Sequence, residues 1–180
     1  MGKLIFILGG AGSGKSRFAL AIAKQSSGKI AFVATGNSSD REMKRKIRNH
    51  QRERPAHWQT IEAAKTPFNS NGARDKTACL LVDSFTLWIS AALVQGQAWD
   101  KIIRDCRSFL KTSRVDFART IIVSDEVGFG IVPANRLARE FREILGIVNQ
   151  EVAAAADQVF LVAAGLPVQL KADKNSKEKK

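Results

Sequence analysis

Gly9, Gly10, Ala11, Gly12, Ser13, Gly14, Lys15 and Ser16 follow the order G-x-x-x-x-G-K-[ST], and each residue type in that order has a use around an anion. Glycines let a loop fold close to phosphate so that successive backbone N–H groups face it. A helix starting at the end of the loop adds the positive end of its dipole. The lysine then reaches the β- and γ-phosphates, and the serine hydroxyl is a ligand for Mg²⁺. Apolar Lys3–Leu8 precedes the motif and helical Lys15–Gln25 follows it, which is the strand–loop–helix setting that phosphate binding needs. An unliganded glycine-rich turn would not require all three in register.

Three further groups could act beside that loop. Asp83 closes the apolar run Cys79–Val82, where a carboxylate at a strand end can hold the metal of a bound nucleotide; it could equally start the next helix as a cap with Ser84. Ser124 to Gly130 follows another strand and combines two acids, Asp125 and Glu126, with two glycines. This is either a functional loop or a tight turn with solvated acids. His50 shares a helix face with Met43 and Ile47. A neutral imidazole there can attack an α-phosphate, although a packing histidine satisfies the same pattern. His57, next to Trp58, reads as structural.

The elements that must position these groups alternate in type. Apolar runs at Lys3–Leu8, Ile30–Ala34, Cys79–Asp83, Thr120–Ser124 and Gln158–Ala163 are nearly continuous, as expected of strands buried on both faces. Helical patterns lie at Lys15–Gln25, Ser39–Arg52, Phe85–Val94, Ala98–Thr112 and Pro133–Ala156, with Pro133 suited to a first turn. The expectation is an α/β domain with a mostly parallel sheet and helices on both faces. Val168–Leu170 would add a short antiparallel edge strand, and the polar interval Thr66–Thr77 a surface loop.

Length and charge bound the rest. At 180 residues the chain fits one domain spanning residues 1–171, with a lysine-rich tail at 172–180 expected to be disordered. The net charge of +12 is uneven: Arg41–Arg54 contributes +5 and Lys171–Lys180 contributes +3, and neither is interleaved with aromatic side chains as a nucleic-acid surface would be. Cys79 and Cys106 are too few for a disulfide framework and read as core thiols in a reducing compartment. Leu4–Leu8 is too short to span a membrane and no cleavage-site pattern follows it, so a cytoplasmic protein is expected.

Taken together these residues resemble one family, the bifunctional adenosylcobinamide kinase / adenosylcobinamide-phosphate guanylyltransferases of cobalamin biosynthesis. The resemblance runs nearly end to end. It is carried by Ile7 to Ser16, by Ala34-Thr35, by Asn49-His50 before Arg54-Pro55-Ala56-His57-Trp58, by Glu62, and above all by Asp125 to Pro133. It continues through Arg136, Arg139, Phe141, Arg142, Gly146, Asn149-Gln150 and Ala153 to Asp157.

The resemblance implies a RecA-like, three-layer P-loop fold, a homotrimer, and two reactions. Adenosylcobinamide is first phosphorylated with ATP or GTP. GTP then gives GMP to His50, and the phosphorylated corrinoid takes it to form adenosylcobinamide-GDP. The same resemblance makes His50 and Lys15 the catalytic residues and puts Mg²⁺ on Ser16 and Asp83. It assigns nucleotide contacts to Gly9 through Ser16, to Ala34, Thr35 and Gly36, to Gln51, Arg52, Glu53 and Arg54, and to Glu62 and Asp83. No integral membrane segment and no nucleic-acid partner are expected.

Three positions depart from the family pattern. Gly12 stands where arginine is frequent, Asp83 replaces a common glutamate and reaches less far, and Asp125 stands where asparagine is usual. Asp125 adds a charge beside the polyphosphate that weakens binding unless it is paired. Two other functions compete: a P-loop kinase for another small alcohol that lacks the guanylyl step, and a GTP switch or nucleic-acid ATPase. The last has no [NT]-K-x-D guanine-reading motif to support it.

Overall fold

The computed structural model describes residues 1–35, 55, 57–62 and 75–173. Strand β1 (Lys3–Gly9) shows why the apolar runs are continuous. Leu4 and Phe6 enter one core and Ile5 and Ile7 the other, so both faces of the strand are dry. Strands β2 (Ile30–Ala34), β3 (Gln59–Glu62), β4 (Asp75–Asp83), β5 (Phe117–Asp125), β6 (Gln158–Ala163) and β7 (Leu166–Lys171) complete one sheet in the order β3-β2-β4-β5-β1-β6-β7. Every neighbouring pair is parallel except β6–β7.

Helix α1 (Lys15–Lys24) packs Ala19, Leu20 and Ala23 on one face of the sheet. Helices α2 (Phe85–Val94), α3 (Trp99–Asp116) and α4 (Arg136–Ala155) cover the other. In α3 the buried residues Ile102, Cys106, Phe109, Leu110 and Ser113 recur every three or four positions, the stripe of a helix with one dry side. This is the expected three-layer α/β architecture.

Several boundaries differ from the sequence reading. Helix α4 starts at Arg136 rather than Pro133, because the Asn135 side chain accepts the Ala138 N–H at 3.2 Å from an extended backbone and so caps the helix two residues later. Helix α3 continues past Thr112 to Asp116, and β4 begins at Asp75, inside the interval expected to be a loop. Strand β3 was not legible. Among the described residues it pairs with β2 alone, at the sheet edge, where Gln59 and Thr60 are exposed, so it lacks a continuous apolar run. The antiparallel edge strand is present and longer than expected. Lys171, its last residue, donates to the Ala153 and Ala154 carbonyls at 3.0 Å, and Asp173 meets Lys3 at 3.3 Å. The expected helix Ser39–Arg52 and most of the tail lie outside the described residues.

Cys79 and Cys106 are both buried and free. Burial pushes both thiols up, Cys106 to about 12 with Glu151 adding to the effect, so neither is a nucleophile at neutral pH. Among the described residues no helix is long and apolar enough to cross a membrane.

Asp157 ties the start of the chain to the end of α4. Its Oδ2 accepts the Leu4 N–H at 2.7 Å, its own N–H donates to the Leu4 carbonyl at 2.9 Å, and Arg114 pairs with Oδ1 at 3.0 Å while also donating to the Gly2 and Ala155 carbonyls. Burial raises this carboxyl, but Arg114, the Leu4 N–H and Lys3 outweigh it and hold the group below its ordinary value. A depressed carboxylate contributes stability above its unfolded pKa, and that contribution is lost as pH falls through the folded value. Asp157→Ala, which also leaves Arg114 short of an acceptor, is expected to cost about 1–3 kcal/mol at neutral pH. Urea melts should show the gap to wild type closing in acid; a gap that does not depend on pH would remove the ionised carboxylate from the account.

Candidate active site

The P-loop occupies the turn between β1 and α1, and its shape is set partly by neighbours that the motif does not mention. A Cβ on Gly9 would lie 2.5 Å from both the Ser13 hydroxyl oxygen and the Val162 carbonyl oxygen, so glycine is required there by the approach of β6. Gly14 has φ +94°, and a Cβ on it would sit 3.2 Å from Gly165 Cα. Gly165 lies in the β6–β7 turn and donates its N–H to the Ser13 carbonyl at 2.8 Å. That turn therefore backs the phosphate loop. Nothing in the spacing of Ala164-Gly165 could have revealed it.

Lys15, the first residue of α1, is folded back over the loop. Its Nζ donates to the Gly10 carbonyl at 3.0 Å and forms an ion pair with Asp125 Oδ1, and its side chain is only 11% exposed. The carboxylate is thus paired with the P-loop lysine while about a quarter of its side chain stays exposed. Ser16 follows on the first turn of α1 and is partly accessible.

Strand register brings the remaining carboxylates to the same edge. Asp125 ends β5 directly beside Gly9, Asp83 ends β4 beside Ala34, and Ala34 is also the partner of Glu62 at the end of β3. The C-terminal ends of four parallel strands therefore line up next to the loop, where ligands of open α/β sheets bind. Because β5 lies between β1 and β4, Asp125 is one strand from the P-loop strand and Asp83 is two. Thr35 is buried, and its hydroxyl donates to the Ser84 carbonyl at 2.6 Å and accepts the Ser84 N–H at 2.8 Å. It locks the end of β2 to the turn after Asp83. Ser84 precedes α2 without a side-chain cap bond, and the Asp83–Ser84 peptide is cis.

The segment after β5 is held from several sides. Asp125 N–H donates to Thr86 Oγ1 at 2.7 Å, Asn149 Nδ2 donates to the Asp125 carbonyl at 3.1 Å, and Glu126 N–H donates to the Gly9 carbonyl at 3.0 Å. Glu126 Oε1 accepts the Gly128 N–H at 2.5 Å, and Arg142 donates to the Gly128 carbonyl. Thr86, Arg142 and Asn149 are thus positioning residues. Beyond this anchored turn, Phe129, Ile131 and Val132 are exposed.

A metal fits this set of donors. Among the described residues no three His, Cys, Asp or Glu side chains form a metal cluster. Mg²⁺ needs none, since it keeps several waters and is held by one or two protein oxygens together with substrate phosphates. Ser16 and Asp83 supply a hydroxyl and a carboxylate on one edge. Gly36, His50 and Gln51, Arg52, Glu53 and Arg54 lie outside the described residues, as does the Glu62 side chain, although its backbone ends β3 at the site edge.

The family model described as cobinamide kinase / cobinamide phosphate guanyltransferase matches residues 5–170. A bifunctional adenosylcobalamin biosynthesis protein, CobP, from Pseudomonas aeruginosa is 36% identical over 93% of this chain and 96% of its own length. The bifunctional protein CobU of Salmonella typhimurium is also 36% identical, over 93% of this chain and 99% of its own length. Among solved structures, an ATPase from the type III secretion system of pathogenic bacteria superposes with a TM-score of 0.61 at 15% identity, over 94% of this chain and 58% of the ATPase chain. A Pyrococcus horikoshii protein superposes with a TM-score of 0.58 at 6% identity, over 97% and 88%. The two structural likenesses concern the fold alone.

Proposed function

The chain belongs to the cobinamide kinase / cobinamide phosphate guanyltransferase family, and we propose that it carries out both reactions of that name on adenosylcobinamide, with the nucleotide seated on the carboxyl edge of the sheet. The observation that carries the reading is the P-loop lysine, held over the loop by Asp125 at the end of β5, on the sheet edge where Asp83 also ends β4.

In the kinase step the substrate hydroxyl attacks the γ-phosphorus of ATP or GTP and the bond to the bridging oxygen breaks. Lys15 and the loop N–H groups take up the charge that develops on the phosphate oxygens. Ser16 and Asp83 would hold Mg²⁺ together with the phosphates, where the ion would supply further neutralisation of the same charge. In the transfer step a neutral imidazole nitrogen of His50 attacks the α-phosphorus of GTP, the α–β bridging bond breaks, and pyrophosphate leaves with the displaced electron pair. The phosphate of the corrinoid product then attacks the same phosphorus and frees the imidazole. Glu62, on the edge strand, is the residue assigned to the guanine edge, and Ala34, Thr35 and Gly36 are assigned to nucleotide contacts. Gln51, Arg52, Glu53 and Arg54 are likewise assigned to nucleotide contacts.

The protein acts in the cytoplasm as a homotrimer in this reading. Exposed Phe129, Ile131 and Val132, next to the anchored turn, support self-association. Intact-mass measurement after incubation with GTP and Mg²⁺ tests the function directly. The expected result is a species heavier by one guanylyl group, removed by acid and stable to alkali. Phosphoryl transfer without any adduct would leave a kinase alone and exclude the second activity.

A further inference from the structure

The Lys15–Asp125 pair raises a question that the reaction scheme leaves open: the cation meant for phosphate already has an anion. We infer that Asp125 is an internal competitor for the nucleotide, its carboxylate occupying the place on Lys15 that a phosphate oxygen takes, so that binding is an exchange of one anion for another. The inference rests on the P-loop reading of nucleotide binding.

Three features carry it. Among the described residues Lys15 Nζ has two partners, the Gly10 carbonyl and Asp125, and at 11% side-chain exposure it has little room for a third without giving one up. Asp125 cannot withdraw by moving its backbone. Its N–H and carbonyl are held by Thr86 and Asn149, and the next residue's N–H is held by Gly9, so release is confined to a side-chain rotation. Its place beside Gly9 in the sheet also keeps the carboxylate next to the polyphosphate after release. Binding therefore loses an ion pair and gains a like-charge neighbour, and both effects weaken affinity.

This fixes the sign of the test. Asp125→Asn keeps the side-chain shape and the backbone bonds while removing the charge. Affinity would be measured by calorimetry with an α,β-methylene analogue of GTP, which cannot give up GMP, once with Mg²⁺ and once with EDTA. The expected result is binding about five- to tenfold tighter than wild type in both media, with the rise in melting temperature on adding nucleotide enlarged to match. Asp125→Ser, which also lacks the charge, should move the same way and keeps the test available if the asparagine protein does not fold. Unchanged or weaker binding overturns the inference. Tighter binding in EDTA with weaker binding in Mg²⁺ also overturns it and makes Asp125 a metal ligand. Failure of wild type and variants alike to bind the analogue overturns the nucleotide reading itself, and the competitor with it.

Discussion

Replacing Lys15 by alanine is expected to lower phosphoryl transfer about 10²- to 10³-fold while leaving a folded protein. A preorganised cation aimed at charge that grows in the transition state is worth roughly 2.7–4 kcal/mol, more than a surface ion pair, because it acts where water is restricted and needs no reorganisation during the step. The fold should persist because the Lys15 contacts, the Gly10 carbonyl and Asp125, lie at the mouth of the site and not in either core. Asp125, about a quarter exposed, can be solvated when its partner is gone. The double variant Lys15→Ala/Asp125→Asn separates two contributions. If the unpaired carboxylate adds repulsion, removing it should recover part of the nucleotide affinity and none of the chemical rate. Steady-state kinetics with saturating nucleotide, set beside a thermal melt, gives both answers. Normal turnover with normal GTP affinity in Lys15→Ala would take the P-loop out of the reaction.

The parts of this site that were legible in the sequence are those whose physics is local. A strand buried on both faces must be apolar throughout, so β1, β2, the Cys79–Asp83 part of β4, β5 and β6 are legible in the sequence. The loop between β1 and α1 had to be glycine-rich for the backbone to turn onto phosphate. What escaped depends on contacts between distant segments. The pairing of Asp125 with Lys15 needs β5 to lie beside β1, and the demand for glycine at position 9 comes from the carbonyl of Val162 on β6. Neither can be read from spacing along the chain. Strand β3 escaped because an edge strand with exposed Gln59 and Thr60 has no apolar run. Asn135 was hidden by Pro133, a residue that suits a first helical turn but here precedes the cap by two positions. The role proposed for His50, which lies outside the described residues, rests on the resemblance and on neither spacing nor packing.

His50→Ala should abolish guanylyl transfer, a loss of about 10³-fold or more, and spare much of the kinase step. In the proposed mechanism only the transfer needs a covalent phosphoramidate; the kinase step there proceeds by direct attack of the substrate hydroxyl on phosphate, for which Lys15 remains in place. The two activities should therefore separate in one variant, an outcome that a merely structural histidine would not give, since a packing defect weakens both together. The pH dependence follows from the nucleophile. An imidazole must be unprotonated to attack, so in the wild type adduct formation should slow as pH falls below its pKa, about 6.5 when unperturbed, while the kinase rate need not follow the same curve. Adduct chemistry gives an independent reading. A phosphoramidate is labile in acid but survives alkali and neutral hydroxylamine, whereas an acyl phosphate on a neighbouring carboxylate does not survive hydroxylamine. Labelled GMP retained by the His50→Ala protein, or mapped by peptide analysis to His57, would move the nucleophile elsewhere and leave the family assignment standing without this mechanism.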